Sequence, residues 1–119
     1  MNRIYLAAPY THTDQRVVKL RVHLADIFAG YLMEKGYCVF SPLSHSHPIS
    51  MKMKRDSFDH DFWLKQDLPF LEWADLMVVM KLPGWKESKG IGVETQEAKK
   101  LNKPIRFVKE HDIYRIVNL

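Results

Sequence analysis

The chain has 119 residues, 46% of them hydrophobic and 27% charged, with a formal net charge of +4. That size and balance fit a single domain spanning 1–119, with a core large enough to need no staples. The lone cysteine, Cys38, excludes an internal disulfide and favours a reducing, cytoplasmic setting. No apolar run approaches the roughly eighteen residues of a membrane span, and the N-terminus lacks the apolar core of a signal peptide. The basic balance suits an anionic ligand. Nucleic acid is disfavoured, because no arginine-rich run or reader motif is present.

In chain order, Ile4-Tyr5-Leu6-Ala7-Ala8 reads as a short buried strand ended by Pro9. Thr13 is the expected N-cap of a helix, with Val17, Leu20, Leu24, Ile27, Phe28, Tyr31 and Leu32 at helical spacing. Gly36 stops it. Tyr37 to Phe40 reads as a second strand, cut off by Ser41-Pro42. A long polar loop carrying His45, His47 and Pro48 is expected next, and Met51 to Ser57 is basic without clear periodicity. Asp61 to Trp73 looks helical, with Pro69 predicting a kink or break. Leu76 to Met80 is apolar throughout, as a strand buried on both faces is. After the Gly84–Glu94 stretch, Val93, Ala98 and Leu101 mark another helix. Pro104 to Val108 reads as a last strand and Asp112 to Val117 as a terminal helix.

The alternation predicts an α/β fold: a three-layer, Rossmann/flavodoxin-like parallel sheet with helices on both faces. Ligands of such sheets sit at the carboxyl ends of the strands. Tyr5 to Pro9, Ser41 to His47 and Leu82 to Glu94 leave strands near that edge, so they are expected to converge on one cleft. Ala8 and Pro9 would line it.

Ser88-Lys89-Gly90-Ile91-Gly92 lies between a strand and a helix. Its glycines let backbone N–H groups approach an anion, and Ser88 adds a hydroxyl. The spacing is neither the Walker pattern nor the dinucleotide fingerprint, and a plain turning loop would also use glycines. Glu94 lies one turn into the helix. It reads either as a dipole-complementing surface charge or as a nucleophile aimed into the cleft, with Asp67 as the second carboxylate. Tyr5 could pack in the core or reach a carboxylate. Trp63 and Trp85 could stack on a planar base or pack. His45 and His47 are candidate substrate contacts. The spacing of His45, His47 and His60 fits no standard zinc site, so neither a metal nor a cofactor is expected.

These ordered pieces resemble the nucleoside 2-deoxyribosyltransferase superfamily, which includes the deoxynucleoside 5′-monophosphate N-glycosidases. The likeness is closest to a group of short bacterial and phage domains of unassigned function. It rests on Ile4 to Tyr10, on Phe40-Ser41-Pro42 with Ser44 to Pro48, and on Gly84-Trp85 with Ser88 and Glu94. It covers nearly the whole chain. The resemblance implies that Glu94 is the nucleophile of a retaining displacement at C1′. It also implies that Asp67 assists the leaving base or orients the sugar, that Tyr5 holds Glu94, and that Ser88, Gly90 and Gly92 hold the 5′ end or phosphate.

The expected substrate is therefore a small-molecule nucleotide or nucleoside. The expected reaction is hydrolysis of (deoxy)nucleoside 5′-monophosphates, with base exchange or nucleotide sensing as alternatives. A homo-oligomer is implied as well. The loop after the first strand, Ala7 to His12, lacks the glycines of the N-glycosidases. Arg16 is the substitute anion contact expected from sequence.

Overall fold

The computed structural model describes residues 2–54 and 59–117. Four strands form one parallel sheet in the order β2-β1-β3-β4: β1 (Arg3–Ala7), β2 (Cys38–Phe40), β3 (Leu76–Lys81) and β4 (Ile105–Lys109). Register pairs Ile4 with both Val39 and Leu76, and Val78 with Arg106. Five helices connect and follow them: α1 (Gln15–Glu34), α2 (Pro42–Ser50), α3 (His60–Trp73), α4 (Lys89–Lys100) and α5 (Glu110–Val117). The Rossmann-like α/β expectation holds.

Alternation along the central strands builds two cores. Ile4, Leu6, Val78 and Met80 face α1 and α5, where they meet Leu24, Ala25, Phe28 and Ile113. Tyr5, Ala7, Met77 and Val79 face α3 and α4, where they meet Leu71, Ile91 and Ala98. The chain therefore leaves β1 for β2 on one side and returns across it to β3 on the other. That reversal opens a crevice at the carboxyl ends of β1 and β3, where a doubly wound sheet leaves room for a ligand.

Asp75 fastens the opposite edge. Its Oδ2 accepts from the backbone N–H groups of Asn2 and Arg3 at 3.1 and 3.0 Å, and its Oδ1 accepts from Arg3 Nη2 at 3.0 Å. These bonds hold its carboxyl well below the usual range. It is the boundary residue that its place before a buried strand suggests.

Three local expectations change. The polar Ser41–Pro48 segment is not a loop but the body of α2. Ser41 caps it by accepting from Ser44 N–H at 3.4 Å, and Pro42 supplies a preset first turn. Its periodicity is weak because only Pro42, Leu43 and Ser50 are buried. The cap of α1 is Asp14 rather than Thr13, since the Asp14 carboxylate reaches Arg16 N–H at 2.9 Å. Helix α3 continues through Pro69, which lies on its exposed side, where the carbonyl freed one turn back can bond to water. Of the basic stretch after α2, Arg55 to Ser57 lie outside the described residues.

Arg21 ties two loops of the crevice together. It is 8% exposed, and its Nη1 donates to the carbonyls of Tyr10 (3.3 Å) and Thr11 (3.0 Å). Its Nη2 donates to the carbonyl of Pro83 at 2.8 Å. The guanidinium leaves no room for a side chain at residue 84: a Cβ on Gly84 would lie 2.6 Å from Nη2, and the backbone there has φ +93°. Gly84→Ala is therefore expected to cost about 2 kcal/mol in denaturant unfolding. Gly30→Ala, inside α1 with nothing within 4 Å of its Cβ position, is expected to be neutral or stabilising.

Candidate active site

The crevice is a cleft of about 620 Å³. Ala8 and Pro9 enter it from the end of β1, and Ser88 and Gly90 from the start of α4. Asp67 and Glu94 reach it from α3 and α4. Tyr5 lies beneath, fully buried, with its ring in the core against Phe40 and its hydroxyl donating to Glu94 Oε2. The structure thus realises both readings of Tyr5, because the ring packs while the hydroxyl reaches the carboxylate.

Burial dominates the electrostatics. Loss of water pushes the Glu94 carboxyl from its ordinary 4.5 up to about 8; the Tyr5 hydrogen bond opposes this rise and the charge of Asp67 adds to it. Burial likewise pushes Asp67 up to about 7. The Tyr5 hydroxyl is raised well above its ordinary value, first by burial and then by the two carboxylates, so it stays a donor. Two carboxyl groups that repel each other in one cleft hold protons into the neutral range. The Tyr5 bond stabilises the charged form of Glu94 without bringing its value below that of Asp67, so the pair shares its proton closely.

Helix α4 presents this set through its cap. Ser88 Oγ accepts from Ile91 N–H at 3.2 Å, which turns the Gly90 backbone and the Glu94 side chain toward the cleft. A Cβ on Gly90 would lie 3.8 Å from Ser88 Oγ, 3.9 Å from Glu94 Oε1 and 4.0 Å from His60 Cε1. The bare Gly90 therefore leaves a hollow between a hydroxyl, an imidazole and the carboxylate oxygen that Tyr5 does not hold.

Other expected contacts fall elsewhere. Arg16 is exposed and paired with its own cap residue, Asp14, at 2.9 Å. His45 is exposed, its ring tilted against those of Phe40 and Phe70. His47 sits behind the cleft wall, its Nδ1 2.8 Å from the Tyr10 hydroxyl. Trp85 packs beside Phe107, and Gly92 joins it in a separate shallow depression. Of the two tryptophans considered for stacking, Trp63 lines the cleft. Its Nε1 is buried without a hydrogen-bond partner among the described residues.

Arg21 and His60 line the cleft and were not among the expected site residues. Arg21 could have been found as a charge in the buried stripe Val18-Arg21-Val22-Ala25 of α1. His60 carried no such signal, since its role depends on where the start of α3 lands. Among the described residues no group of three or more His, Cys, Asp or Glu is placed to hold a metal ion, and no helix is long and apolar enough to cross a membrane.

Fold and cleft together define a Rossmann-like parallel α/β domain with a buried carboxylate pair at its switch point. The chain belongs to the family described as a domain of unknown function, DUF1937, whose model matches residues 2–110. Its fold is similar to that of a 2-deoxyribosyltransferase from the psychrotolerant bacterium Bacillus psychrosaccharolyticus. Identity is 22% and the TM-score 0.64, over 90% of this chain and 72% of that one. Nothing matches among curated proteins.

The raised Glu94 value has a consequence for stability. Because the folded value lies above the ordinary one, folding takes up a proton between 4.5 and about 8, and stability falls as pH rises through that window. Glu94→Gln keeps an acceptor for Tyr5 without the charge. It is expected to stabilise the protein by roughly 2–4 kcal/mol at about pH 9, with the gap closing toward about pH 5, as read by denaturant unfolding.

Proposed function

We propose that this protein cleaves the N-glycosidic bond of (deoxy)nucleoside 5′-monophosphates by a retaining mechanism, with water as the final acceptor. One observation carries the reading: a buried carboxylate, Glu94, gripped on one oxygen by Tyr5 and facing a second buried carboxyl, Asp67, in a single cleft. A structural role rarely demands two desolvated carboxyls with no cation to neutralise them among the described residues, whereas a retaining glycosidase uses such a pair.

In the first step Glu94 Oε1 bonds to C1′ while the C1′–N bond breaks. The electron pair goes to the base nitrogen, which takes the proton of Asp67. In the second step water bonds to C1′ as Asp67 takes its proton, and the Glu94 carboxylate leaves. Tyr5 holds Glu94 in its rotamer and steadies its charge. Ser88 and the first backbone N–H groups of α4 receive the 5′ end, where the helix N-terminus favours a phosphate. Trp63 offers a ring for the base.

A second reading shares the first step and replaces water by another base. The likeness of the fold to a 2-deoxyribosyltransferase favours it. A homo-oligomer, implied by the family resemblance, belongs to the same proposal.

Incubation with a panel of nucleosides and their 5′-monophosphates is expected to release free base, detected by chromatography. Glu94→Ala should lower the rate by roughly 10³-fold or more, and Tyr5→Phe by roughly 10²-fold. Failure of every substrate to release base, or undiminished release by Glu94→Ala, would sink the reading. Adding a free acceptor base separates hydrolysis, which yields sugar, from transfer, which yields a new nucleoside.

The active state needs Glu94 ionised and Asp67 protonated. The pH profile of kcat/KM should therefore be bell-shaped, with limbs set by the pair at about 7 and about 8. Asp67→Asn should be slower and should lose the alkaline limb.

A further inference from the structure

We propose that His60 is a specificity-determining residue for the sugar, its imidazole hydrogen-bonding the 3′-hydroxyl on the furanose face that Glu94 attacks. The inference rests on the N-glycosidase reading and names a contact that reading leaves open.

In a β-nucleoside the base stands on one face of the furanose, so a retaining nucleophile must approach C1′ from the other. The 3′-hydroxyl projects from that same lower face, as does a 2′-hydroxyl where there is one. The wall of the cleft beside the attacking oxygen is therefore the wall that meets these hydroxyls. Tyr5 occupies Oε2 of Glu94, which leaves Oε1 to attack. His60 borders the same Gly90 hollow as Oε1, with Cε1 and Oε1 lying 4.0 and 3.9 Å from the position of a Cβ there.

On a 2′-deoxy sugar the 3′-hydroxyl is the one hydroxyl carried on that face, and this assigns the 3′ position. The imidazole borders the same hollow as Oε1, the one that a Cβ at residue 90 would enter. Ser88 Oγ, 3.8 Å from the same point, also borders the hollow.

The chemistry of His60 is unspent. Among the described residues its ring has no hydrogen-bond, ion-pair or aromatic partner, although it is half-buried and lines the cleft. A neutral imidazole offers one donor and one acceptor, and a hydroxyl can use either. The backbone supports the placement independently of the ring. His60 opens α3, whose cap Asp59 accepts from Phe62 N–H at 3.2 Å, and Asp67 lies two turns further along the same helix. A single rigid helix thus carries both the carboxyl assigned to the base side and the imidazole assigned to the sugar.

The test is a cycle between ligand and protein. Binding of a 2′-deoxynucleoside 5′-monophosphate and of its 2′,3′-dideoxy counterpart is measured by calorimetry. The proteins are Glu94→Gln, which does not turn over, and Glu94→Gln combined with His60→Ala or His60→Asn. With His60 intact, losing the 3′-hydroxyl should weaken binding about tenfold. In His60→Ala the same loss should cost less than about twofold, and His60→Asn, which keeps a donor and an acceptor, should recover part of the difference.

An equal penalty in all three proteins overturns the assignment. So does an effect of His60 confined to ribo- against deoxyribonucleotides, which would place the contact at the 2′ position. Gly90→Ala gives an independent check: its methyl fits at ordinary contact distance, so the protein should fold while the hollow is filled and the 3′-hydroxyl preference is lost. Base release by the wild-type protein together with a flat cycle rejects the His60 contact alone. Absence of both release and binding rejects the function and the contact together.

Discussion

The bond from Tyr5 to Glu94 is the constraint around which the site is arranged. It crosses from the central strand β1 to the first turns of α4, so it links the two elements that flank the switch point of the sheet. A tyrosine in a buried strand costs nothing in packing. Its hydroxyl, however, needs a partner when taken out of water. Glu94 supplies the partner and in return receives the one donor that makes its buried charge tolerable. The remaining desolvation is not offset, and the carboxyl stays raised. Stability is therefore sacrificed where the chemistry is proposed to occur.

The sheet order explains why the cleft exists, and Arg21 explains why its rim holds its shape. The β1–α1 and β3–α4 connections would otherwise be two independent loops. A buried guanidinium bonded to Tyr10, Thr11 and Pro83 makes them one wall. Gly84 is what permits the approach, by combining a left-handed backbone with the absence of a Cβ. These are scaffold contacts, and they place Ser88 and Gly90 opposite His60 without any of them being spent on the carboxylates.

Much of this was legible from residue order. Continuous apolar runs at Ile4–Ala8 and Leu76–Met80 can only be central strands, and their spacing by helical patterns requires parallel crossovers. The set Tyr5, Asp67, Ser88, Gly90 and Glu94 was readable through the ordered pieces that resemble a known family, whereas spacing alone left Tyr5 and Glu94 open between packing, surface charge and chemistry. Helix α2 was not legible. Its polar sequence hides a helix stabilised by Ser41 and Pro42 rather than by an apolar stripe. The placements of Arg16, His45, His47 and Trp85 were not legible either, since a side chain's direction depends on packing around it. His45 turns to Phe40 and Phe70, and Trp85 to Phe107.

The sequence by itself determined the α/β class and the succession of strands and helices, α2 excepted. Those follow from local periodicity and from the handedness of parallel crossovers, which no distant contact can change. Tertiary structure alone decided that Arg21 rather than Arg16 stands at the cleft and that His60 and Glu94 border one hollow beside Gly90. It also decided that both carboxyls are dry enough to keep protons near neutrality. Desolvation, and the meeting of side chains from α1, α3 and α4, arise only when separated segments pack together, so neither is written in any single stretch of the chain.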